Sequence, residues 1–467
     1  MKSEERLYAH LAGLRFDDLP PATVESVSAA VLDHLGCAVL GLDLPWTTAL
    51  VATLLAGGDL DTARDGGHVY DRAEPVPPAS AALVNGTAAH GFDLDDTHLP
   101  TMTHPGCVVI PAAFAAAEAV GAGGRDLLAA TVAGYEAMGR IARATGLGFG
   151  EKGFHATGQV GPMGAATAAA LLFARSGADC DLAGAVGLAA SFGGGIKAFS
   201  TGSGTVKRLH AGRAAQAGLF AATLQRSAFP GPPRAVAGKF GFVPTFSTDA
   251  SPDYGRLDAG LGDRYVVDEV YLKPYAACGA VHGAVAAAAQ LAPLATGVER
   301  VVVGTSQRAL RQNSNRTPTD IMSAQYSTEY SVALALLGGA EDARRFLDAG
   351  TGADRPVRDL AARVVLEVDE VAEKAYPDAN GARVEVLLAD GSRRSARAAV
   401  TADGSRGWAV AERKFRSVTA GLLAPESQSR VLDAVAALAE GGPVEACLLP
   451  LRSPARDRLI SEENHRG

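Results

Sequence analysis

The 467-residue sequence predicts a mainly α protein in which a large helical domain is interrupted by a smaller α+β domain, inserted before the C-terminal helices. Apolar residues recur at helical spacing from about residue 20 to 260, β-branched runs are common after about 265, and the tail from about 409 is helical again. Because the chain exceeds the usual size of one core, two domains are expected. We predict a helical domain over 1–265 and 405–467 and an α+β domain over 266–404.

The helical segments are rich in small residues. The first, PPATVESVSAAVLDHLGCAVLGL, begins with prolines suited to a first turn and then places Val24, Val27, Val31 and Leu35 at helical spacing. Five further segments have apolar faces made mostly of Ala and Gly: PASAALVNGTAAHG, IPAAFAAAEAVGAGG, DLLAATVAGYEAMGRIARATG, GPMGAATAAALLFARSG and HAGRAAQAGLFAATLQR. Since small residues let helix axes approach closely, we expect a tightly packed helical domain.

The inserted part contains the strand signals. They lie in RYVVDEVYL, ERVVVGTSQ, RVVLEVDE and ARVEVLLADGSRRSARAAV. In the last of these, ADGS between two alternating runs predicts a β-hairpin. One helix, over about 326 to 338, is expected among the strands. A crevice between two such domains is a preferred location for a ligand.

Composition limits the class of protein. Hydrophobic residues make up 48% and charged residues 20%, which is typical of a globular chain with a large core. The net charge of -8 argues against a nucleic-acid or anionic-membrane partner, because either would require a basic surface. We find no apolar leader and no apolar run of membrane-spanning length, so a cytoplasmic protein is predicted. Five widely spaced cysteines without a CxxC pair indicate reduced thiols.

The stretch HGFDLDDTHLPTMTHPG, residues 90 to 106, concentrates three aspartates, three histidines and three threonines. Asp93, Asp95, Asp96, His98 and His104 are residue types that bind divalent metal ions. The alternative is that Asp95 and Asp96 cap or turn the chain while one histidine is a satisfied core group. Taken alone, the stretch favours this structural alternative.

Three further polar segments carry candidate chemistry. His155 in GFHATGQVGPMG precedes a predicted helix, whose N-terminus would favour the neutral imidazole and attract anions. Lys207, in VKRLHAGRAAQAG, lies on a helical face otherwise made largely of alanine, which suggests anion binding. Lys273, Cys278 and His282 fall in YLKPYAACGAVHG; a Cys-His nucleophile pair is conceivable there, but no local signature activates the thiol.

In this order, these segments resemble the MmgE/PrpD family. The resemblance extends over nearly the whole chain, from LPPATVESVSAAVLDHLGCAVLGL through AALVNGTAAHGFDLDDTH, THPGCVVIPAAFAAAEA, GFHATGQVGPMGAA, VKRLHAGRAAQAG and LKPYAACGAVHGA to ERKF. It implies a helical domain with an α+β lid, a homodimer, and chemistry without metal or other cofactor on a small carboxylate held between the domains.

The resemblance also implies site residues. The family's active-site positions fall on Asp93, Thr97, His104, His155, Lys207 and Lys273, and Tyr330 matches a tyrosine of the lid. Cys278 stands where cis-aconitate decarboxylase, a family member, has a histidine, and His98 stands where that enzyme has a bulkier aromatic residue. Both are predicted to contact substrate, and both departures argue against cis-aconitate as the substrate.

These expectations favour a metal-independent lyase of the dehydratase type that moves a proton at the carbon α to a carboxylate. His104 or His155 would move the proton, Asp93 and Thr97 would orient the imidazole or bind a hydroxyl, and Tyr330 would protonate the leaving group. Lys207 and Lys273 would bind substrate carboxylates. An epimerase or isomerase, a decarboxylase, and an inactive carboxylate-binding relative are the alternatives.

Overall fold

Helices make up most of the described chain, which in this computed structural model comprises residues 2–200, 204–294, 297–376, 379–401 and 403–452. The α-helices before residue 250 are α1 (Ser3–Gly13), α2 (Pro21–Gly41), α3 (Pro45–Gly57), α4 (Pro78–Ala89), α5 (Gly106–Val120), α6 (Gly124–Thr145), α7 (Gly148–Glu151), α8 (Ala156–Arg175), α9 (Leu182–Ala189), α10 (Val206–Arg226) and α11 (Phe242–Phe246). All six helical segments predicted in this part are confirmed by α2, α4, α5, α6, α8 and α10.

The small residues allow the helices to pack closely, as predicted. Helix α10 packs against α8 and α4. A Cβ atom added at Gly212 of α10 would lie 2.2 Å from the carbonyl oxygen of Leu83 on α4, so only glycine fits there. This contact holds α10, which carries Lys207, against the helix that leads into the 90–106 stretch.

Helix α2 is long and apolar enough to span a membrane by length and composition. This corrects the expectation that no segment reaches that length. However, 83% of its apolar window is buried inside the protein, where α2 packs against α4 and against a helix near the C-terminus. A buried environment of this kind is typical of a core helix.

Helices and strands alternate in the second half of the described chain. The elements are α12 (His282–Ala289), β1 (Val298–Thr305), α13 (Gln307–Asn313), α14 (Ile321–Gln325), α15 (Thr328–Leu336), α16 (Arg355–Ala361), β2 (Val364–Val368), α17 (Glu370–Ala375), β3 (Asn380–Leu388), β4 (Arg393–Val400), α18 (Trp408–Val418) and α19 (Pro425–Ala437). The predicted helix near 326 to 338 is confirmed as α15, but the structure has several more helices among the strands than the one expected.

The strands form one mixed sheet in the order β2-β1-β3-β4. Strand β1 is parallel to β2 and antiparallel to β3, and β3 and β4 form the predicted hairpin with Leu387 opposite Arg393. Gly391 in its turn has φ 83°, a conformation that glycine adopts without strain. Helix α12 packs on β3 and β4.

The strand predicted at RYVVDEVYL is wrong. Residues Val266–Glu269 form a 3-10 helix, and Val266 and Val267 are buried in a segment that packs against α6. The β-branched run is therefore explained by burial against a helix rather than by a place in the sheet.

The prediction of a mainly α protein is confirmed, and α18 returns to pack against α2 after the sheet. The division into domains at 265 and 405, and the role of 266–404 as a lid, stay predictions. Residues 453–467 of the predicted helical domain lie outside the described chain.

Candidate active site

A cavity of about 250 Å³ gathers most of the predicted site residues. Seven of them line it: Asp93, Thr97, His104, His155, Lys207, Lys273 and Cys278. They come from four separate parts of the sequence, so the fold brings together the polar segments that the sequence singled out.

The 90–106 stretch connects α4 to α5 and forms one wall of this cavity. Its middle pairs with the segment before Lys273, because Thr97 and Tyr271 exchange two backbone hydrogen bonds of 2.9 and 3.0 Å. This pairing places Lys273 beside Asp93.

Asp93 is the centre of a buried charge cluster. One of its carboxylate oxygens lies 2.6 Å from the Nζ atom of Lys273, and the other lies 2.6 Å from the Nζ atom of Lys207. Burial by itself would raise the pKa of Asp93, but the two ammonium groups lower it well below its usual range. Asp93 has φ 55°, a left-handed conformation that aspartate tolerates better than most residues. The two lysines that are predicted to bind substrate carboxylates are thus ion-paired with Asp93.

His104 has one ring nitrogen directed at the protein and one at the cavity. Its Nδ1 atom is 3.1 Å from the carbonyl oxygen of Asp96, which can only accept, so Nδ1 carries the proton and donates it. The Nε2 atom is then unprotonated, and it lies 3.8 Å from the nearest Asp93 oxygen, beyond hydrogen-bond distance. Burial, and next Lys273, lower the pKa of His104 well below its ordinary value. His104 therefore offers a neutral ring with a free basic nitrogen.

His155 immediately precedes α8, as predicted, and its ring is buried. Its Nδ1 atom lies 3.1 Å from Nδ1 of His210, so one of these rings donates to the other. Burial and then Lys207 lower the pKa of His155 well below its ordinary value. His155 is a second neutral imidazole at the cavity.

Asp95 and Asp96 fix the 90–106 stretch through buried hydrogen bonds. Asp95 accepts a 2.8 Å hydrogen bond from Nδ1 of His90. Asp96 accepts from the Tyr135 hydroxyl at 2.7 Å and from the backbone N–H of Gly106 at 2.8 Å, at the start of α5. Burial raises the pKa of Asp96 to about 7.

Four residues of this region offer ligand atoms within 4.8 Å of one another: His90, Asp93, Asp95 and His104. Both oxygens of Asp93 are already paired with lysines. A divalent cation would have to displace or approach two ammonium groups, which like-charge repulsion opposes. The described donors therefore suit a lysine-aspartate cluster better than a metal centre.

Two predicted site residues lie elsewhere. Tyr330 is fully buried on α15, with its ring 6.0 Å from that of Phe346, and does not line the cavity. His98 is also fully buried, with Nδ1 2.6 Å from the Thr101 hydroxyl and Nε2 3.0 Å from Arg143. The structure therefore places both side chains outside the residues that line this cavity, since packing directs them into the protein.

Tyr326, which directly follows α14, lines the cavity instead. The Nζ atom of Lys207 lies 5.3 Å from the centre of its ring. Burial raises the pKa of Tyr326 well above its ordinary value, so the hydroxyl stays protonated. The sequence QYSTEY contains both tyrosines, and only the three-dimensional packing distinguishes them.

Sequence reasoning also missed three cations at the cavity, Lys197, Arg308 and Arg311. With Lys207 and Lys273, five cationic residues among the described part of the chain line the cavity, against one carboxylate, that of Asp93. This excess occurs in a chain of net charge -8, so it is local and strong. The sequence does not predict this excess of positive charge, because Lys197, Arg308 and Arg311 lie far from the polar segments that it indicates.

A second cavity, of about 280 Å³, lies on the other side of the same wall. Leu272 and Pro274 line it, whereas Lys273 between them lines the first cavity. Lys414 also lines the second cavity, and its Nζ atom donates to the carbonyl oxygen of Leu94 at 2.6 Å. Successive residues of this segment therefore line the two cavities alternately.

Comparisons with known proteins agree with the arrangement of these segments. Residues 5–255 match the MmgE/PrpD N-terminal domain, and residues 275–440 match the MmgE/PrpD C-terminal domain. Cis-aconitate decarboxylase of Aspergillus terreus is 27% identical over 410 residues, covering 82% of this chain and 81% of its own. Cis-aconitate decarboxylase of Homo sapiens is 29% identical over 373 residues, covering 76% and 74%. On the match to both domains, this chain belongs to the MmgE/PrpD family.

Proposed function

We propose that this chain is a lyase that acts on a small di- or tricarboxylate through proton transfer at the carbon α to a carboxylate. The observation that carries the proposal is the free Nε2 atom of neutral His104 in a cavity lined by five cationic residues. The cations would attract the anion, and the free nitrogen would accept its proton.

In the dehydration that we favour, His104 takes the proton from the α carbon. The electron pair of the broken C–H bond forms a C=C bond, and the hydroxyl on the neighbouring carbon leaves with a proton as water. Tyr326 takes the place of Tyr330 as the donor of that proton, because its hydroxyl stays protonated and lines the cavity. Lys207 and Lys273 stabilise the negative charge that develops beside the carboxylate.

Decarboxylation is the second candidate, because the curated relatives are named cis-aconitate decarboxylases. In that reaction the C–C bond breaks, CO2 leaves, and the electron pair left on carbon takes a proton. The proton donor must begin protonated. Tyr326 meets this requirement, whereas neutral His104 donates its only proton to the carbonyl oxygen of Asp96.

The test follows proton exchange by NMR in heavy water over a panel of hydroxylated and unsaturated di- and tricarboxylates, with cis-aconitate included and a chelator present. Deuterium incorporation with loss of water supports dehydration, and CO2 release supports decarboxylation. Exchange without a change of mass beyond the label identifies an epimerase or isomerase. If binding occurs with no exchange, the chain is a carboxylate-binding relative, and activity abolished by the chelator would overturn metal independence.

A further inference from the structure

Gln325 is a fully buried glutamine that directly precedes Tyr326 at the cavity. Tyr326 is the proton donor in the proposed reaction. The side chain of Gln325 forms three hydrogen bonds, and each reaches a different part of the chain. A buried amide that joins three segments restrains their positions relative to one another, so the role of Gln325 depends on what those segments carry.

The amide nitrogen of Gln325 joins two of these segments. Its Nε2 atom donates to the carbonyl oxygen of Phe92 and, at 2.9 Å, to the carbonyl oxygen of Ala276. Phe92 directly precedes Asp93 in the sequence. Ala276 follows Lys273 by three residues. One NH2 group therefore connects the two segments that carry an ion pair of the cavity.

The amide oxygen of Gln325 connects to a third segment. It accepts a 2.8 Å hydrogen bond from the guanidinium of Arg208, which directly follows Lys207 on α10. Arg208 is 1% exposed and also donates to the carbonyl oxygen of Gly91 at 3.0 Å, within the 90–106 stretch. Arg208 therefore fixes the start of this stretch to α10 beside Lys207.

The chemistry of the three partners fixes the orientation of the Gln325 amide. The carbonyl oxygens of Phe92 and Ala276 can only accept, and the guanidinium of Arg208 can only donate. Glutamine supplies two N–H donors and one acceptor at this position, whereas glutamate lacks the donors. The backbone carbonyl oxygen of Gln325 also accepts from the backbone N–H of Cys278 at 2.9 Å. Its main chain and its side chain thus hold neighbouring residues of one segment.

We propose that Gln325 is a positioning residue, which holds the hydroxyl of Tyr326 at the distance from Asp93 and its two lysines that proton transfer requires. The chain joins Gln325 directly to Tyr326, and the three hydrogen bonds reach the segments of the ion-paired cluster. A donor displaced by about 1 Å can lower a rate about 100-fold, because proton transfer requires hydrogen-bond reach. The inference rests on the proposed function for the role of Tyr326, but it makes a separate claim about what holds the cavity together.

The kinetic test uses Gln325→Met, which keeps the length of the side chain and removes all three hydrogen bonds. We expect kcat to fall about 100-fold in the full chain. In a Tyr326→Phe background the same substitution should lower kcat less than about threefold, because the hydroxyl that it would misplace is already absent. A purely structural role would lower kcat by the same factor in both backgrounds, and that result would refute the positioning role.

Gln325→Glu separates position from folding. It keeps the shape of the side chain and gives Arg208 a charged acceptor, so we expect the fold to be retained in thermal unfolding. It also directs an oxygen without a proton at two carbonyl oxygens, which should displace the segments and lower kcat about 100-fold. A folded Gln325→Glu variant with the kcat of the wild type would contradict the proposal.

Gln428→Met is the matched control. Gln428 is a buried glutamine on α19 that donates to the Thr419 hydroxyl at 2.8 Å and to the carbonyl oxygen of Arg416 at 3.1 Å, and it does not line the cavity. Its replacement removes hydrogen bonds of the same kind far from Tyr326, so kcat should stay close to that of the wild type. Equal losses of kcat in Gln428→Met and Gln325→Met would refute a specific role for Gln325.

A readout that needs no turnover distinguishes this inference from the proposed function. Cys278 is a partly exposed thiol at the cavity, and mass spectrometry measures its rate of alkylation by iodoacetamide. Gln325→Met should raise this rate about fivefold, the effect of one lost hydrogen bond, while Gln428→Met should not change it. If no carboxylate reacts but Gln325→Met still raises the alkylation rate, the proposed lyase fails and the restraint by Gln325 stands. If the wild type is a lyase and the alkylation rate does not change, the inference fails alone.

Discussion

At the scale of single residues, the pH dependence follows from the environment of His104. The sequence predicts that activity rises with pH through an imidazole titration near the ordinary value of 6.5. Burial lowers the pKa of His104, so the neutral ring that acts as base persists as the pH falls below 6.5. We expect kcat/KM to stay level on the acidic side down to a pH well below 6.5, measured over a pH series at constant ionic strength.

Asp96 supplies the control for this measurement, since its pKa of about 7 gives it a charge change near neutrality. An inflection near pH 7 that disappears in Asp96→Asn belongs to Asp96. If kcat/KM of Asp96→Asn still decreases as the pH falls through about 6.5, the lowered pKa of His104 would be contradicted.

Replacing the base should affect turnover more than binding. We expect His104→Gln to reduce kcat by roughly 100-fold to 10,000-fold, the usual contribution of a general base, with KM nearly unchanged. His98→Gln is the control, because His98 is buried outside the cavity and its loss should leave kcat close to that of the wild type. Near-full turnover in His104→Gln would transfer the role of base to His155.

The two tyrosines of QYSTEY give a matched pair of variants. Tyr326→Phe removes a hydroxyl at the cavity and should reduce kcat about 100-fold or more if that hydroxyl is the acid. Tyr330→Phe removes a hydroxyl buried away from the cavity and should keep kcat. The opposite ranking in steady-state kinetics would restore the assignment made from the sequence.

At the scale of elements, α18 holds the 90–106 stretch in place through Lys414, which donates a hydrogen bond to the carbonyl oxygen of Leu94. Its Nζ atom lies 2.5 Å from an oxygen of Asp33 on α2, and both side chains are buried. Lys414→Met would leave the Asp33 carboxylate buried without its cationic partner, and we expect a loss of about 3–5 kcal/mol in the free energy of unfolding, measured by urea denaturation.

Two further variants test the cause of this loss. Adding Asp33→Asn to Lys414→Met removes the unpaired charge and should restore much of the stability. On the same helix, Arg416 pairs with Glu412 at the surface, so Arg416→Met should cost less than about 1 kcal/mol. Equal losses for Lys414→Met and Arg416→Met would refute the importance of burial.

Elements were predictable from the sequence where their signals are local. Periodic small and apolar residues identified α2 and α8, and the ADGS turn identified the β3–β4 hairpin. The valines of 266–270 have the same local preference as a strand, but tertiary burial against α6 decides their structure.

The candidate site was predictable only where one segment concentrates polar residues. Asp93 and His104 belong to such a segment. Arg308 and Arg311 reach the cavity from α13 and Lys197 reaches it from a distant part of the chain, and that proximity exists only after folding. Tyr326 follows α14 and Tyr330 lies on α15, so the choice between them depends on how the connection between these two helices packs, which composition cannot indicate.

At the scale of the whole molecule, the homodimer implied by family resemblance stays a prediction, and the structure changes where we expect the interface. The number of alanine- and glycine-rich helices in the sequence predicts that they form the dimer interface, but their small residues are buried in the core of the chain itself, as in α5 and α8. Phe192 and Phe220 remain 39% and 48% exposed and stack with ring centres 6.3 Å apart. We propose that a second copy covers this pair.

Light scattering coupled to size-exclusion chromatography should return twice the chain mass at micromolar concentration. Phe220→Glu places a charge in the proposed interface and should shift the protein to a monomer, whereas Val371→Glu, at another exposed apolar position, should not. A wild-type monomer, or a dimer that tolerates Phe220→Glu, would contradict this interface.

The alternation of residues 272 to 274 between the two cavities has a consequence for how such enzymes diversify. Leu272 and Pro274 face the second cavity while Lys273 faces the first. Substitutions of residues that line the second cavity can therefore shift Lys273 without changing any side chain that contacts substrate. The substrate preference of such an enzyme can therefore change through substitutions that leave every catalytic side chain identical. Two members of the family with the same active-site residues need not share a substrate, and the residues behind the wall are where their difference should be sought.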